Sequence, residues 1–171
     1  METKPIRLAG IVRESIVDGP GFRFTVFVQG CPHHCPGCHN PQTHDPAGGE
    51  DCDWETIFNE FKKDPLLQGI TLSGGEPMEQ AAALLPLARA VRAMGKNVMA
   101  YSGYTFEQLL EKGRTEPAVL ELLRECFLLV DGRFILAERN LELLFRGSRN
   151  QRLIDVQKSL AEGRAVLMDL E

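Results

Sequence analysis

The sequence predicts an α/β fold, an open, partial barrel of parallel strands with about four to five β/α units. Three observations point there. Segments rich in β-branched and aromatic residues alternate with segments of helical periodicity, the pattern of parallel strands with helices packed outside. The chain has 171 residues, whereas a closed eightfold barrel takes about 250. Two of the expected strands run straight into short segments dense in chemically active residues, and parallel folds collect such groups at the carboxyl edge of the sheet.

The elements follow in order. Residues 6–13 and 22–29 read as strands, with the turn signal Asp18-Gly19-Pro20-Gly21 just before the second. Trp54, Ile57, Phe58 and Phe61 fall at i, i+3, i+4 and i+7, which predicts a helix with a core-facing stripe and Asp53 as N-cap. Residues 69–73 form a short buried strand. A helix over 78–94 follows, bent at Pro86 and closed by Gly95. Residues 97–101 read as a strand, 105–111 and 117–126 as helices, and 127–131 as a further strand. A final apolar stretch covers 153–156. With no linker, repeat or low-complexity tract, residues 1–171 are expected to be a single domain.

Composition narrows the function. Hydrophobic residues make up 43%, an ordinary globular share. The 19 Lys and Arg against 24 Asp and Glu give a net charge of −5, which argues against nucleic-acid binding. No apolar leader follows Met1 and no run reaches the length of a membrane span, so a cytoplasmic location and no membrane partner are expected. Five cysteines are an odd number, and three are too clustered for a disulfide framework.

That cluster is Cys31-Pro-His-His-Cys35-Pro-Gly-Cys38. Packing does not ask for three thiols on one Pro/Gly-rich loop, whereas a metal centre does, because thiolate selects iron–sulfur clusters, zinc or Cu(I). A zinc site would need a fourth ligand, with His33, His34, His39 or His44 available. A cubane cluster held at three corners would leave one iron open to chemistry. The second constellation, Ser73-Gly74-Gly75-Glu76-Pro77, begins where the next strand ends. Its glycines allow a ligand close to the backbone, and Glu76 offers a carboxylate to a cationic group. A plain strand-to-helix turn with Pro near the first helical position would give the same composition.

Cys-x3-Cys-x2-Cys followed by Gly-Gly-Glu-Pro resembles the radical S-adenosylmethionine (SAM) enzymes. Within them, Asp18-Gly-Pro-Gly21 and His39-Asn40 resemble the activases of glycyl radical enzymes. Gly37-Cys38, Asn40-Pro41, Tyr101-Ser-Gly-Tyr104, Leu129-Val-Asp-Gly-Arg-Phe134 and Phe145-Arg-Gly-Ser-Arg-Asn-Gln-Arg-Leu-Ile-Asp-Val156 are similar to those of the activases serving anaerobic ribonucleoside-triphosphate reductase. The resemblance covers nearly the whole chain and implies a partial barrel of the radical SAM type. It implies a [4Fe-4S] cluster on Cys31, Cys35 and Cys38, with SAM chelated at the fourth iron. Reductive cleavage of SAM would yield a 5′-deoxyadenosyl radical that abstracts hydrogen from a glycine of the reductase. Gly74, Gly75 and Glu76, with Ser73 beside them, would receive the SAM amino group, and the backbone of Gly37, Cys38 and His39 would meet the adenine. No protein acid, base or nucleophile is implied, while an electron donor such as flavodoxin is. Alternatives are an activase for another glycyl radical enzyme such as pyruvate formate-lyase, a small metabolite-directed radical SAM enzyme, or a zinc-stabilised binding module.

Other residues carry secondary expectations. Asp18 and Gly19 are read as a contact for the partner's glycine-bearing segment. Residues 133–152 hold five Arg against two Glu, and Arg146 and Arg149 are read as docking to an acidic patch on the reductase. His33 and His34 are expected to be solvated. Cys126 is expected in the core, and Cys52 has no assigned role.

Overall fold

The computed structural model describes residues 4–38 and 40–169. Among these, the strands are β1 (Ile6–Ser15), β2 (Arg23–Val28), β3 (Glu50–Cys52), β4 (Gly69–Gly74), β5 (Asn97–Ser102), β6 (Leu128–Asp131) and β7 (Arg152–Asp155). The helices are α1 (Trp54–Lys62), α2 (Ala81–Ala93), α3 (Phe106–Thr115), α4 (Pro117–Glu125) and α5 (Val156–Glu162). The strands form one seven-stranded sheet in the order β3-β1-β2-β4-β5-β6-β7. Its four central strands, β2, β4, β5 and β6, run parallel and are linked by α1, by α2, and by α3 with α4.

Side-chain alternation divides the sheet into two faces. Phe24, Val26 and Val28 of β2, with Ile70, Leu72, Val98, Ala100, Leu129 and Ile154, are fully buried in the main core. The helices press Ile57, Phe61, Leu84, Leu87, Leu109 and Leu122 into the same cluster. Each such side chain contributes on the order of 1.5–3 kcal/mol by leaving water, so this face holds the sheet together. The stripe expected from Trp54 to Phe61 is present, with Ile57 and Phe61 buried and Trp54 and Phe58 packed at its margin. Cys126 lies in this core, and burial pushes its thiol up to about 12.

The opposite face is different in character. Toward β6 and β7 it is apolar, a small cluster of Met99, Leu128, Val130 and Leu153 flanked by Tyr101, Phe127, Phe145 and Met168. Toward β2 and β4 it is polar, with Arg23, Thr25 and Thr71 all fully buried. The Arg23 guanidinium donates to Thr71 Oγ1 at 2.7 Å, the Ile70 carbonyl at 2.8 Å and the Pro20 carbonyl at 3.2 Å. Burial lowers its pKa to about 10.

Five features depart from the sequence reading. β1 and β7 both pair antiparallel with their neighbours, β2 and β6. Pairing direction is set by how the chain returns to the sheet, and the seven residues between β1 and β2 are too few for a parallel crossover. β3 is a three-residue edge strand of Glu50, Asp51 and Cys52, too short and polar to register as a strand. The helix α5 is capped by the Asp155 carboxylate, which accepts from Lys158 N–H at 3.1 Å, and is closed by Gly163 at φ 71°. The helix expected over 78–94 opens with a 3-10 turn at Pro77–Gln80 before α2 begins. Asp53 stands at the N-cap of α1, but its side chain makes no capping bond.

Candidate radical-cofactor site

Because the central strands are parallel, their carboxyl ends share one rim, and four segments meet there. The Cys loop leaves β2 through Gly30, whose N–H donates to Thr43 O at 2.6 Å, while Cys31 N–H donates to His44 O at 3.1 Å. The turn after β4 continues the pairing past the strand: Gly75 N–H donates to Val28 O and Glu76 N–H to Gly30 O, both at 2.8 Å. The ends of β5 and β6 supply Ser102-Gly103-Tyr104 and Asp131.

Cys31, Cys35 and Cys38 are half-buried and free of disulfides. Burial raises the Cys31 thiol, opposed by the N–H groups of His33 and His34 and reinforced by Glu76. Burial likewise raises the Cys35 thiol, against the Phe134 N–H and the Arg133 charge. Asn40 N–H points to Cys38 Sγ at 3.4 Å. Backbone N–H groups aimed at sulfur are the contacts that stabilise thiolates around an iron–sulfur cluster. Among the described residues no three His, Cys, Asp or Glu side chains converge where a single metal ion could sit. A cubane needs no such convergence, since each thiolate binds its own iron. Three thiols on one loop, with amides aimed at them, fit the cluster.

Glycines in this rim are demanded by packing. A Cβ on Gly75 would lie 2.4 Å from Gly30 O, and one on Gly74 would lie 2.5 Å from Val28 N. On the Cβ side of each glycine the space is therefore filled by the neighbouring backbone. Gly37, at φ 76°, faces Leu136 and Phe134, its absent Cβ falling 2.9 Å from Leu136 Cδ1. Ser73 lies at the end of β4, in register with Phe27. His39 lies outside the described residues.

Glu76 is fully buried and its carboxylate is already engaged. Oε1 accepts from Gly103 N–H at 2.7 Å and from His33 Nε2 at 2.7 Å, and Oε2 accepts from Met78 N–H at 3.0 Å. Ser102 Oγ reaches both oxygens. The expectation of a carboxylate open to a cation is thus corrected. His33 is not solvated either. Its side chain is 3% exposed, its ring meets Tyr104 edge-on with centroids 4.6 Å apart, and it fills the space a Cβ on Gly103 would need. The roles of His33, Ser102 and Gly103 were not legible beforehand. The stretch Tyr101–Tyr104 entered only through the resemblance, and His33 had no signal beyond its place between two ligands.

The residues read as partner contacts lie elsewhere. The Asp18 carboxylate accepts from Ser15 Oγ at 2.6 Å and Thr25 Oγ1 at 3.2 Å, and its carbonyl accepts from Thr71 Oγ1 at 2.7 Å. Thr25 and Thr71 sit three residues below the rim along β2 and β4, about 10 Å, on the face away from the helices. Gly19 is buried there, its absent Cβ falling 2.1 Å from Met99 Sδ. What this loop exposes is Ile16 and Val17, at 69% and 71%.

Arg146 and Arg149 line an open cavity of about 450 Å³ beside β7, with Arg152, Leu153, Leu167 and Met168 among its walls. Arg152 is held in a bidentate pair with Asp131, at 3.0 and 2.5 Å, and also reaches Glu107. No helix among the described residues is long and apolar enough to cross a membrane.

Residues 17–154 match the family described as "4Fe-4S single cluster domain". Among solved structures, QueE from Escherichia coli is 20% identical with a TM-score of 0.43, over 60% of this chain and 53% of that one. The anaerobic ribonucleoside-triphosphate reductase-activating protein of Escherichia coli (strain K12) is 35% identical over 144 residues, 80% of this chain and 90% of that protein. The proteins of the same name from Salmonella typhi and Enterobacteria phage T4 are 33% and 34% identical, again over 80% of this chain and over 90% and 86% of theirs. The chain belongs to the family of anaerobic ribonucleoside-triphosphate reductase-activating proteins.

Proposed function

We propose that this protein is the radical SAM activase of an anaerobic ribonucleoside-triphosphate reductase, its protein substrate. The observation that carries this reading is the rim itself. Three thiols free of disulfides stand on the loop after β2, Cys31 within reach of the buried Glu76 carboxylate after β4, in a chain of the activating-protein family. When bound, the [4Fe-4S] cluster supplies the electron that splits SAM, and the resulting carbon radical takes hydrogen from a glycine of the reductase.

The protein's part is to bind, orient and exclude water. Cys31, Cys35 and Cys38 hold the cluster, and the amides of His33, His34, Phe134 and Asn40 support their sulfurs. The edge Ser73-Gly74-Gly75-Glu76 receives the amino-acid end of SAM. Backbone at Gly37, Cys38 and His39 meets the adenine. We read the sheet as the open, partial barrel of the radical SAM type, a single domain over 1–171. Its helix-free face is where the glycine-bearing segment enters, meeting Asp18 and the exposed Ile16 and Val17 beside the packed Gly19. Arg146 and Arg149 face an acidic patch of the reductase. A donor such as flavodoxin reduces the cluster, and the setting is the cytoplasm.

The test is anaerobic reconstitution, reduction and addition of SAM, with and without the reductase. The expected result is 5′-deoxyadenosine together with a glycyl radical signal on the reductase. A reconstituted, reduced protein that leaves SAM intact in the presence of the reductase overturns the reading.

A further inference from the structure

On the helix-free face the strands set their side chains in rows, and between β1 and β5 one row stays open. Register defines it. Gly10 lies opposite Phe27, and Phe27 opposite Ser73. Tyr101, one residue past the Leu72–Ala100 pair, is level with Ser73 and lies opposite Val130, which in turn lies opposite Leu153. Ser73 leads into the turn that carries Glu76, so the row runs just beneath the edge where four segments meet. Gly10, Phe27, Ser73 and Tyr101 all keep part of their surface accessible. The row below, Thr25, Thr71 and Met99, is fully buried.

The loop before β2 seals that lower row. Its Asp18 carbonyl accepts from the Thr71 hydroxyl, Gly19 packs against Met99 Sδ, and the Pro20 carbonyl accepts from the Arg23 guanidinium. A chain cannot rise to the open row through this floor. The far end is shut too, because Val130 and Leu153 are buried in a cluster with Phe145 and Met168. The near end is open. β3 pairs with β1 only at Ile6, Arg7 and Leu8, so at Gly10 the strand β1 is the margin of the sheet. No atom lies within 4 Å of where a Gly10 Cβ would stand.

Tyr101 offers an unused donor in this row. Its hydroxyl bonds to no described residue, and it is not among the buried atoms sealed off without a partner. Burial, reinforced by the Asp18 carboxylate, raises the phenol above its ordinary range, so the proton stays in place. An extended peptide carries the matching acceptor, a backbone carbonyl, at every residue. A segment centred on glycine has no side chain to keep its main chain away from the row.

We propose that the glycine-bearing segment of the reductase enters this row from the side, over Gly10, and is anchored by a hydrogen bond from the Tyr101 hydroxyl to one of its backbone carbonyls. The inference rests on the activase reading above and adds to it the side of entry and the anchoring atom.

Two substitutions test it. Tyr101→Phe removes one oxygen that bonds to nothing in the free protein, and Gly10→Leu fills open space at the entrance. Both should keep wild-type urea midpoints and iron content. Binding of a fluorescent peptide spanning the reductase's radical glycine is followed by anisotropy on cluster-loaded protein. Tyr101→Phe should bind roughly tenfold more weakly than wild type, the effect of one hydrogen bond, and Gly10→Leu at least tenfold more weakly. In both, glycyl radical formed per 5′-deoxyadenosine should fall, a ratio that a general loss of stability would not move. Wild-type affinity in either variant overturns the inference and leaves the activase reading intact. So does a wild-type protein that activates the reductase without binding the peptide. A wild-type protein that neither binds the peptide nor activates the reductase overturns both. Should one variant fail to fold, the other decides.

Discussion

Ser102 Oγ lies 3.0 Å from each carboxylate oxygen of Glu76, bridging the end of β5 to the turn that follows β4. Both residues are buried, and the contact ties two parallel strands together at the rim rather than within the sheet. Removing the hydroxyl leaves a carboxylate that still has three donors, so Ser102→Ala should cost about 1 kcal/mol of unfolding free energy. Glu76→Ala strands Ser102, Gly103 N–H, Met78 N–H and His33 together and should cost about 3 kcal/mol. Urea unfolding of the two variants checks the ranking, and the double variant should fall short of the sum because the residues share one network. Equal costs for the two single variants would contradict this account.

The glycines of the chain divide by what a methyl group would strike. Gly75→Ala drives a Cβ to 2.4 Å from the Gly30 carbonyl oxygen, a backbone atom that cannot yield without moving the Cys loop. Iron uptake on reconstitution should drop severalfold, alongside a loss of about 2 kcal/mol or more. At Gly10 no atom lies within 4 Å of the added Cβ, and Gly10→Ala should stay within about 1 kcal/mol of wild type. Parallel iron assays and unfolding curves measure both.

Iron content also sorts the cysteines. Replacing Cys31, Cys35 or Cys38 by Ala should remove most of the iron, sulfide and brown absorbance that the wild type acquires, about four irons per chain. Cys52→Ala, at the edge strand β3, should leave all three unchanged. Normal loading of a Cys35→Ala protein would exclude the assignment of ligands.

Arg152 joins β7 to the carboxylate at the end of β6. Asp131 is 1% exposed, so Arg152→Gln leaves a buried charge without its bidentate partner and should cost roughly 3 kcal/mol. The same arginine holds the Glu107 carboxyl below its ordinary 4.5, chiefly through their hydrogen bond. A depressed carboxyl pKa contributes stability that is fully present above about pH 4.5 and is lost as the pH falls through the folded value. Glu107 is 57% exposed, so its share is small. Urea midpoints recorded between pH 7 and pH 3 should fall less steeply in Arg152→Gln than in wild type. An unchanged slope would mean that the pair does not couple to protonation.

Charge reversal at Arg146 and Arg149 should weaken association with the reductase at least tenfold at low salt, with the difference shrinking as ionic strength rises. Arg152 is committed to Asp131 and Glu107 and is left out of this pair by design. Binding by the double reversal that matches wild type at low ionic strength would remove the cavity beside β7 from the docking surface.

Much of the scaffold could be read in advance because burial writes itself into periodicity. The alternation in β2 and the 3–4 spacing from Trp54 to Phe61 each reflect one covered face. The thiol triplet was legible because its spacing has no use in packing. Pairing direction at β7 was not, since 20 residues without a long helix join it to β6 and allow either return; at β1 it was missed, although seven residues between Ser15 and Arg23 are too few for a parallel crossover. Glu76 was found but its partners were not: Ser102, Gly103 and His33 are 26, 27 and 43 positions away, and only the fold brings them together. Gly74 and Gly75 were noticed as a place for a ligand, whereas the backbone packing that also requires glycine there became visible only in the fold.

Cys35 takes part of its surroundings from Phe134 and Arg133, which lie on the segment between β6 and β7. The ribosome makes the thiols early and those neighbours late, and domains fold as their chains emerge. A nascent chain would thus expose its cysteines well before the wall that shields them exists.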